Sequence, residues 1–318
     1  MIARIKFAHL PTPVEEMPRL TKFLQGPKLF IKRDDQTGLA FGGNKTRKLE
    51  FLLAEALACD AKTLLTTGAG QSNHCRQTAA VAARFGLDCV LVLTGKKPSY
   101  PSANLLLDGL FGAKIVWVAE RSDRDRVLQQ TLDQLAASGR APYLVPYGGS
   151  SPVGAMGYAN AMQEYITQKI PVDWIIFPSS SGGTQAGLVC GARLTGYQGK
   201  ILGISIDEPV EKLQMHVAQL ASATFALENK PCDFQPDDIL VNADYCRPGY
   251  GVYTDLEKNA IKLFAEYEGL LLDPVYTGRA AGGLLDLIKK DFFSKDDRIL
   301  FWHTGGQPAL FASAYTGM

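Results

Sequence analysis

The sequence predicts an α/β fold in which mainly parallel sheets are covered by helices on both faces. Short β-branched apolar runs alternate with stretches of helical periodicity along most of the chain, an alternation that is typical of parallel sheets. Some runs, such as residues 174–177, are continuously apolar, as expected for a strand buried on both sides. The 318 residues are enough for two such domains.

Six strands and six helices follow from these patterns. The strands are predicted at residues 63–67, 89–93, 115–118, 174–177, 201–206 and 299–302. The helices are predicted at residues 46–58, 73–85, 127–137, 184–195, 255–267 and 280–290. A stretch rich in glycine, proline and serine, residues 147–154, is the candidate boundary between two lobes. Because open parallel sheets bind ligands beyond the carboxyl ends of their strands, the loops after the strands are the candidate site.

Composition excludes several classes of protein. The 33 basic and 32 acidic residues give a net charge of +1, so no global field attracts nucleic acid or acidic membranes. No apolar run approaches the ~18 residues of a spanning helix, and the first residues lack the apolar stretch of a signal peptide. The six cysteines are scattered without a CxxC pair. We expect a soluble, cytoplasmic protein without membrane or nucleic-acid partners.

The first candidate loop leads into the helix predicted over residues 46–58. The apolar stripe of this helix consists of Leu49, Leu52, Leu53 and Ala56. Lys45 projects near the centre of that stripe, whereas Arg47 and Glu50 point elsewhere. A buried lysine loses its charge readily, and its neutral amine is a nucleophile that forms Schiff bases. The alternative is a lysine that snorkels past the helix end. Lys48, at the edge of the stripe, faces either a phosphate or solvent.

The second candidate loop, residues 68–74, follows a strand and opens a helix. Free backbone N–H groups at such a turn bind anions, and Ser72 and Asn73 add short polar side chains. The alternative is an ordinary N-cap, for which serine and asparagine are preferred.

The third candidate loop, residues 179–187, follows a buried strand and precedes a helix. Three serines, two glycines and a threonine come in succession, a composition that suits a phosphate bound at a helix N-terminus. Serine and glycine are also common in loops without any ligand, which is the alternative.

Several familiar motifs are incomplete in this chain. Residues 38–46, GLAFGGNKT, differ from a Walker A loop because Asn44 separates the glycine from the lysine. Residues 68–73, GAGQSN, resemble a dinucleotide-binding turn with asparagine in place of its third glycine, so an NAD-dependent oxidoreductase is an alternative function. There is no GxSxG elbow and no HExxH pair, so neither a serine hydrolase nor a metal site is expected.

Seven motifs, in order along nearly the whole chain, resemble one family of pyridoxal-phosphate enzymes. The motifs are KRDD at 32–35, GGNKTRKLE at 42–50, QSN at 71–73, GTQAG at 183–187, PGYG at 248–251, LDPVY at 272–276 and HTGG at 303–306. The family is that of the 1-aminocyclopropane-1-carboxylate deaminases and D-cysteine desulfhydrases. The resemblance implies the tryptophan-synthase-β-like fold, called fold type II, with pyridoxal 5'-phosphate in a cleft between two α/β domains. It implies a large domain of residues 1–45 and 157–318, a small domain of residues 46–156, and a homodimer.

The resemblance also assigns candidate site residues. The family's Schiff-base lysine falls on Lys45, and the residue that hydrogen-bonds the cofactor's phenolic oxygen falls on Asn73. The remaining cofactor-binding residues are then Lys48, Ser181, Gly182, Gly183, Thr184, Thr277 and Thr304. The catalytic set implied by the family comprises Lys45, Ser72, Tyr250 and Tyr276, and the substrate-binding set comprises Ser72, Asn73 and His74.

Two positions favour the desulfhydrase branch of this family. The deaminases carry glutamate after the VY tyrosine and leucine in the HxGG segment, whereas this chain has Thr277 and Thr304. Near the pyridine nitrogen, a threonine hydroxyl gives a weaker electron sink than a carboxylate, and expelling a thiolate needs less help than opening a cyclopropane. The resemblance implies α,β-elimination of D-cysteine to pyruvate, hydrogen sulfide and ammonia. The alternatives are a 1-aminocyclopropane-1-carboxylate deaminase, an L-cysteate sulfo-lyase and a non-catalytic amino-acid-binding module.

Overall fold

The computed structural model describes residues 2–228 and 232–315, which form two sheets flanked by helices. The strands are β1 (Val14–Glu16), β2 (Lys28–Lys32), β3 (Thr63–Ala69), β4 (Asp88–Thr94), β5 (Lys114–Val118), β6 (Pro142–Leu144), β7 (Trp174–Ser179), β8 (Lys200–Ser205), β9 (Leu240–Asn242) and β10 (Arg298–Trp302). The α-helices are α1 (Pro18–Leu24), α2 (Asn44–Ala58), α3 (Asn73–Arg84), α4 (Ala103–Leu110), α5 (Arg124–Ala137), α6 (Pro152–Thr167), α7 (Gly183–Thr195), α8 (Val210–Ala226), α9 (Asp255–Glu268) and α10 (Thr277–Lys289). Short 3-10 helices lie at Asp34–Gln36, Arg121–Asp123, Tyr147–Gly149, Pro236–Asp238, Gln307–Phe311 and Ser313–Tyr315.

The larger sheet has the strand order β1-β2-β10-β7-β8-β9, and every pair except β1–β2 is parallel. Alternate residues of its central strands face opposite helix layers. Ile176 and Phe301 pack towards α9 and α10, whereas Phe177 and Trp302 pack towards α6 and α7. Both faces of the sheet are therefore buried, which explains why these strands are continuously apolar in the sequence.

The smaller sheet has the order β5-β4-β3-β6 and is entirely parallel. Helices α2, α3 and α4 cover one face, where Leu64 and Leu91 contact their apolar side chains. Helix α5 covers the other face, over Leu65, Val90 and Val92. The carboxyl end of β3 is thus directed towards the loop that begins α3 at Asn73.

The predicted α/β class is confirmed, and each of the twelve predicted elements exists with ends shifted by one to three residues. The elements that the patterns did not predict are β1, β2, β6, β9, α1, α4, α6 and α8. Helix α6 was not predicted because residues 154–159 of its first half are all buried and none is polar apart from the Tyr158 hydroxyl, so a polar face begins only at Asn160. No helix in the described ranges combines the length and the apolar character needed to cross a membrane.

The division into domains stays a proposal. The strands of the smaller sheet all fall between residues 63 and 144, inside the small domain proposed over residues 46–156. Helices α2 and α6 connect the two sheets: α2 packs on the smaller sheet through Leu52 and contacts α6 through Phe51. The start of α2, where Lys45 lies, is therefore held from both sides.

Candidate active site

A cavity of about 620 Å³ lies where loops from the two sheets meet, at the carboxyl ends of β3, β6, β7 and β10. Predicted site residues in its wall are Lys45, Ser72, Asn73, His74, Ser181, Gly182, Thr184, Tyr276 and Thr304. Predicted residues outside its wall are Lys48, Gly183, Tyr250 and Thr277. Residues that sequence reasoning did not single out complete the wall: Asn44, Tyr147, Gly148, Pro178, Ser179, Ser180 and Gly305.

Lys45 enters the cavity from the first turn of α2. The backbone turns sharply into the helix at Gly43, whose φ of 121° favours glycine, and the Asn44 amide donates to the carbonyl of Thr304 at 3.0 Å. Burial lowers the pKa of Lys45 to about 8. No hydrogen bond or ion pair of its amine is found within the described ranges. The amine is a poised nucleophile that faces the cavity rather than solvent past the helix end.

An ionic network below Lys45 fixes α2 to the larger sheet. The Arg47 guanidinium donates two hydrogen bonds of 2.8 Å to Asp34 and two of 2.9 Å to Glu164. Asp34 also accepts from Tyr158 at 2.6 Å and from the Trp302 indole at 2.8 Å. Helical periodicity directed Arg47 away from the apolar stripe, but it did not reveal that the residue is buried among carboxylates.

Lys48 is buried behind the cavity wall. Its ammonium donates to the Gly148 carbonyl at 3.2 Å and to Ser150 Oγ at 3.4 Å. Burial, and then the neighbouring charge of Lys45, hold the pKa of Lys48 well below its ordinary value. The solvent alternative is wrong, because the Lys48 side chain is fully buried. A phosphate contact stays a prediction, since the amine lies beside Ser150, which bonds Ser181 at the start of α7.

A candidate anion site lies at the start of α7. Ser181 and Thr184 contribute hydroxyls, and Gly182 adopts the left-handed conformation with a φ of 76°. Helix N-termini attract anions through their free N–H groups and the helix dipole. Ser150, which no motif singled out, accepts from the Gly183 amide at 3.1 Å and shares a 2.8 Å hydrogen bond with Ser181. The loop after β6 therefore braces the anion site.

Gly148 shows how tightly the two loops approach each other. It has a φ of 65°, and a Cβ atom at this position would overlap Ser181 Oγ. That Cβ would also lie 3.5 Å from Lys45 Nζ. Only glycine fits between the nucleophile and the anion site.

Ser72 both caps α3 and lines the cavity. Its Oγ accepts from the Cys75 amide at 3.2 Å, so the N-cap interpretation of this turn is confirmed. Asn73, the next residue, accepts at Oδ1 from Asn104 Nδ2 at 2.9 Å. No motif pointed to Asn104, which lies in a helix that the patterns did not predict.

His74 is held neutral in a single tautomer. Its Nε2 lies 2.9 Å from Thr66 Oγ1, whose only proton is donated to the Val145 carbonyl at 2.8 Å. Nε2 must therefore carry the ring proton, and Nδ1 is a buried acceptor without a partner in the described ranges. Burial holds the pKa of His74 well below its ordinary value.

Two tyrosines meet at the cavity. The hydroxyls of Tyr250 and Tyr276 are 2.7 Å apart, and Tyr276 lines the wall. Burial raises the pKa of both phenols. The pair therefore stays protonated and acts as a hydrogen-bond donor rather than as a base.

The two predicted threonines differ in their surroundings. Thr304 lines the cavity, and no hydrogen bond of its hydroxyl is found in the described ranges. Thr277 lies outside the wall and donates its hydroxyl proton to Asp273 at 2.7 Å while accepting from the Asp273 amide at 2.7 Å. The single hydroxyl proton of Thr277 is donated to Asp273 at the start of α10 and is not available to a ligand. The Thr304 hydroxyl, which lines the cavity, is therefore the better placed of the two to donate to a ring nitrogen.

The cavity combines the groups that a phosphorylated aldehyde needs. Lys45 supplies a nucleophilic amine, and the start of α7 supplies a candidate anion site in the same cavity. Asn73 and Thr304 add polar side chains to its wall. In the described ranges no three His, Cys, Asp or Glu side chains are grouped to hold a metal ion. The residues fit pyridoxal phosphate.

Comparison with known proteins agrees with this chemistry. The profile of the family described as pyridoxal-phosphate dependent enzyme matches residues 5–305. D-cysteine desulfhydrases of Salmonella typhimurium and Salmonella typhi are each 43% identical over 317 residues, which cover 97% of this chain and 95% of theirs. A crystal structure described as an ACC deaminase homologue superposes with a TM-score of 0.89 and 35% identity, covering 98% of this chain and 94% of that one.

The match to the family extends over both sheets, and the fold is the tryptophan-synthase-β-like fold type II. The turn at residues 68–73, which resembled a dinucleotide motif, instead contributes Ser72 and Asn73 to the cavity. An NAD-dependent oxidoreductase is therefore no longer a candidate. The chain belongs to the family of pyridoxal-phosphate dependent enzymes, and its cofactor is pyridoxal 5'-phosphate.

Proposed function

We propose that this enzyme is a carbon–sulfur lyase that converts D-cysteine to pyruvate, hydrogen sulfide and ammonia. Lys45 carries the proposal, because its buried amine lines the same cavity as the candidate anion site at the start of α7. The substrate follows from relatives named D-cysteine desulfhydrase, which are 43% identical over 97% of this chain. Similarity of this extent includes the loops that build the cavity.

The cofactor would be held at four points. Lys45 Nζ would make the covalent link, and the Ser181 hydroxyl with the N–H groups at the start of α7 would bind the phosphate. Asn73 would donate to the phenolic oxygen, and Thr304 would donate to the ring nitrogen. When bound, the cofactor supplies an electron-withdrawing ring that delocalises negative charge at the substrate Cα.

Lys45 would also act as the general base. Once its amine is free, it would accept the Cα proton of the substrate at Nζ. A pKa of about 8 suits this task, because a base works best when its pKa lies near the operating pH. The Cα–H and Cβ–S bonds both break, and the sulfur leaves with the bonding electrons as hydrosulfide. The released aminoacrylate hydrolyses to pyruvate and ammonia.

Ser72 and Tyr276, which both line the cavity, would orient the substrate. The Ser72 hydroxyl and the N–H groups of the turn before α3 would bind the substrate carboxylate. Tyr276, kept protonated by burial and backed by Tyr250, would donate to the departing sulfur. His74 supplies only an acceptor to this region, since its one ring proton is used by Thr66.

A pyruvate-release panel tests the proposal. The enzyme, loaded with cofactor, is given D-cysteine, L-cysteine, D-serine, L-cysteate and 1-aminocyclopropane-1-carboxylate in separate assays. We expect the highest kcat/KM with D-cysteine and equal amounts of sulfide and pyruvate. Faster turnover of the cyclopropane would favour the deaminase alternative, which the 35% identity to an ACC deaminase homologue supports. Faster turnover of L-cysteate would favour the sulfo-lyase.

We further propose that the enzyme works in the cytoplasm as a homodimer. All six cysteines are free thiols, which suits a reducing compartment. Leu106 and Leu110 of α4 and Phe311 of the 3-10 helix in contact with α4 are exposed apolar side chains that a second copy would cover. Light scattering should then give about twice the chain mass of 34.5 kDa, and a monomer would contradict the homodimer.

A further inference from the structure

A hydrogen-bonded chain of buried polar groups runs behind Asn73. Asn104 donates from Nδ2 to Asn73 Oδ1 at 2.9 Å and to the Gln71 carbonyl at 2.8 Å. Its Oδ1 accepts from Arg76 Nη1 at 3.1 Å. Arg76 in turn donates from Nη2 to the Gly42 carbonyl at 2.9 Å. The chain links the loop before Lys45 to the wall of the cavity.

Arg76 and the Gln71 carbonyl together decide the direction of the hydrogen bonds in this chain, because Arg76 only donates and the carbonyl only accepts. A guanidinium has five donors and no acceptor, so Asn104 must present its oxygen to Arg76. The Nδ2 atom of Asn104 therefore faces Asn73. Because Nδ2 is a donor, Asn73 must accept the hydrogen bond with its Oδ1 atom. The Nδ2 donor of Asn73 is left over, and no partner for it is found in the described ranges. Asn73 lines the cavity, where that donor is available to a ligand.

The side chain of Asn104 is held in a single orientation, so its oxygen always faces Arg76 and its nitrogen always faces Asn73. The side chains of Asn104 and Arg76 are fully buried. The backbone N–H of Asn104 also donates to Gln71 Oε1 at 3.0 Å, and Gln71 Nε2 donates to the Ser102 carbonyl at 3.1 Å. These bonds clamp the start of α4 against the turn that carries Asn73. Both protons of Asn104 Nδ2 are used, so its amide has no alternative orientation that satisfies Arg76.

We propose that Asn104, with Arg76 behind it, is a positioning residue that fixes Asn73 with its Nδ2 donor directed at the cofactor's phenolic oxygen. The inference rests on the contact of Asn73 with the cofactor proposed above. Neither residue touches the cofactor itself. Their effect is to prevent the Asn73 amide from rotating and presenting its oxygen to an electron-rich acceptor, an arrangement that repels rather than binds.

Substitution of Asn104 by aspartate tests the direction of the chain. Asn104→Asp keeps an acceptor for Arg76 and, ionised beside that cation, has no proton to donate to Asn73. Two quantities are measured: the dissociation constant for pyridoxal phosphate added to the apoenzyme, and the pH midpoint of the visible spectrum of the holoenzyme. A donor to the phenolic oxygen stabilises its anion, so losing that donor raises the midpoint. We expect a rise of about 0.5–1 pH unit and a severalfold weaker dissociation constant.

Arg76 offers a matched pair of variants. Arg76→Lys keeps a side chain that only donates, so we expect a midpoint near that of the unaltered enzyme. Arg76→Gln offers an acceptor as well as donors, so only the Gln71 carbonyl still orients Asn104, and the midpoint should rise by less than in Asn104→Asp. Equal shifts in the two Arg76 variants would overturn the role given to Arg76.

Two reference variants separate positioning from other effects. Thr224→Val removes a buried hydrogen bond within α8 and controls for loss of stability, which thermal melting of each variant monitors. An equal spectral shift in Thr224→Val and Asn104→Asp would overturn the inference. Asn73→Ala should itself raise the midpoint. If Asn73→Ala shifts it and Asn104→Asp does not, positioning fails while the Asn73 contact stands; if neither shifts it, both fail.

Discussion

At the scale of single residues, Lys45 shows how burial turns a common cation into a nucleophile. Its position in the first turn of α2 directs the side chain into the cavity, and desolvation lowers its pKa to about 8. At pH 7 roughly a tenth of the amines are then neutral, against fewer than one in a thousand for an ordinary lysine. The difference is the reactivity that covalent attachment of the cofactor requires.

The pH dependence of cofactor loading follows from this pKa. A neutral amine is the reactive form, so the rate at which apoenzyme takes up pyridoxal phosphate should rise about tenfold per pH unit below 8 and level off above it. Stopped-flow absorbance between pH 6 and pH 10 measures this rate. A lysine derivative in free solution is the control, because its reaction rate should keep rising until the pH reaches the ordinary lysine pKa of 10.5. A break at that higher pH in the protein would contradict the buried amine.

Tyr276 should matter more to catalysis than Tyr250. Both phenols are protonated, but only Tyr276 lines the cavity and can donate to the departing sulfur. We expect Tyr276→Phe to lower kcat for D-cysteine by ~100-fold with little change in cofactor affinity, as for loss of an acid catalyst. Tyr250→Phe, which removes only the supporting hydroxyl, should lower kcat for D-cysteine by about tenfold or less. Steady-state kinetics of the two variants checks the order, and the reverse order would exclude this role for Tyr276.

The residues that sequence reasoning found and missed differ in their kind of signal. Lys45, Ser72 and Asn73 lie in motifs next to helix starts, where chemistry and local structure coincide. Ser150 and Asn104 act through partners 28 or more positions away in the chain. Only the Gly/Ser-rich composition of residues 147–154 pointed to Ser150. That composition predicted a boundary between two lobes rather than a part of the site.

At the scale of elements, α2 depends on the ionic network that joins it to the larger sheet. Arg47→Met would leave the carboxylates of Asp34 and Glu164 buried without their main cation. Breaking a buried pair costs about 3–5 kcal/mol, so we expect a loss of that size in the free energy of unfolding. Urea denaturation measures it. Arg126→Met, in an exposed ion pair with Asp123, is the control and should cost less than about 1 kcal/mol.

Asp34 should make the stability of the enzyme depend on acid. Burial by itself would raise the pKa of this carboxyl, but the Arg47 guanidinium outweighs burial and lowers it from 3.8 to about 2. The stabilisation is complete above pH 4 and is lost as the pH falls through 2, because the unfolded carboxyl binds its proton first. At pH 3 the loss from this group is about 1 kcal/mol relative to pH 7. Urea denaturation at the two pH values should show a smaller difference in Asp34→Asn; an unchanged difference would contradict this assignment.

Elements with a clear periodicity were predictable, and those without one were not. Strands β7 and β10 are short, apolar and flanked by turn residues, so a single pattern identifies them. The first half of α6 is buried on all sides, and α4 has only eight residues. In both cases tertiary packing, which single-sequence periodicity does not contain, determines the structure.

At the scale of the whole molecule, the site exists because two sheets present the carboxyl ends of their strands to one cavity. Lys45 lies at the start of a helix that packs on the smaller sheet and on α6, Ser72 follows a strand of the smaller sheet, and Ser181 follows a strand of the larger one. The class of fold and the loops that matter were predictable from strand–helix alternation. The way in which separate loops converge required the tertiary structure.

The identity of the residue that carries the cofactor is the central claim, and reductive trapping tests it most directly. Holoenzyme is treated with borohydride, digested and mapped by mass spectrometry, with Lys48 as an internal comparison because it is a buried lysine three residues further along α2. We predict a single reduced pyridoxyl label on Lys45, and no such label in Lys45→Ala. A label on Lys48 or on another side chain, or no label at all, would contradict the account.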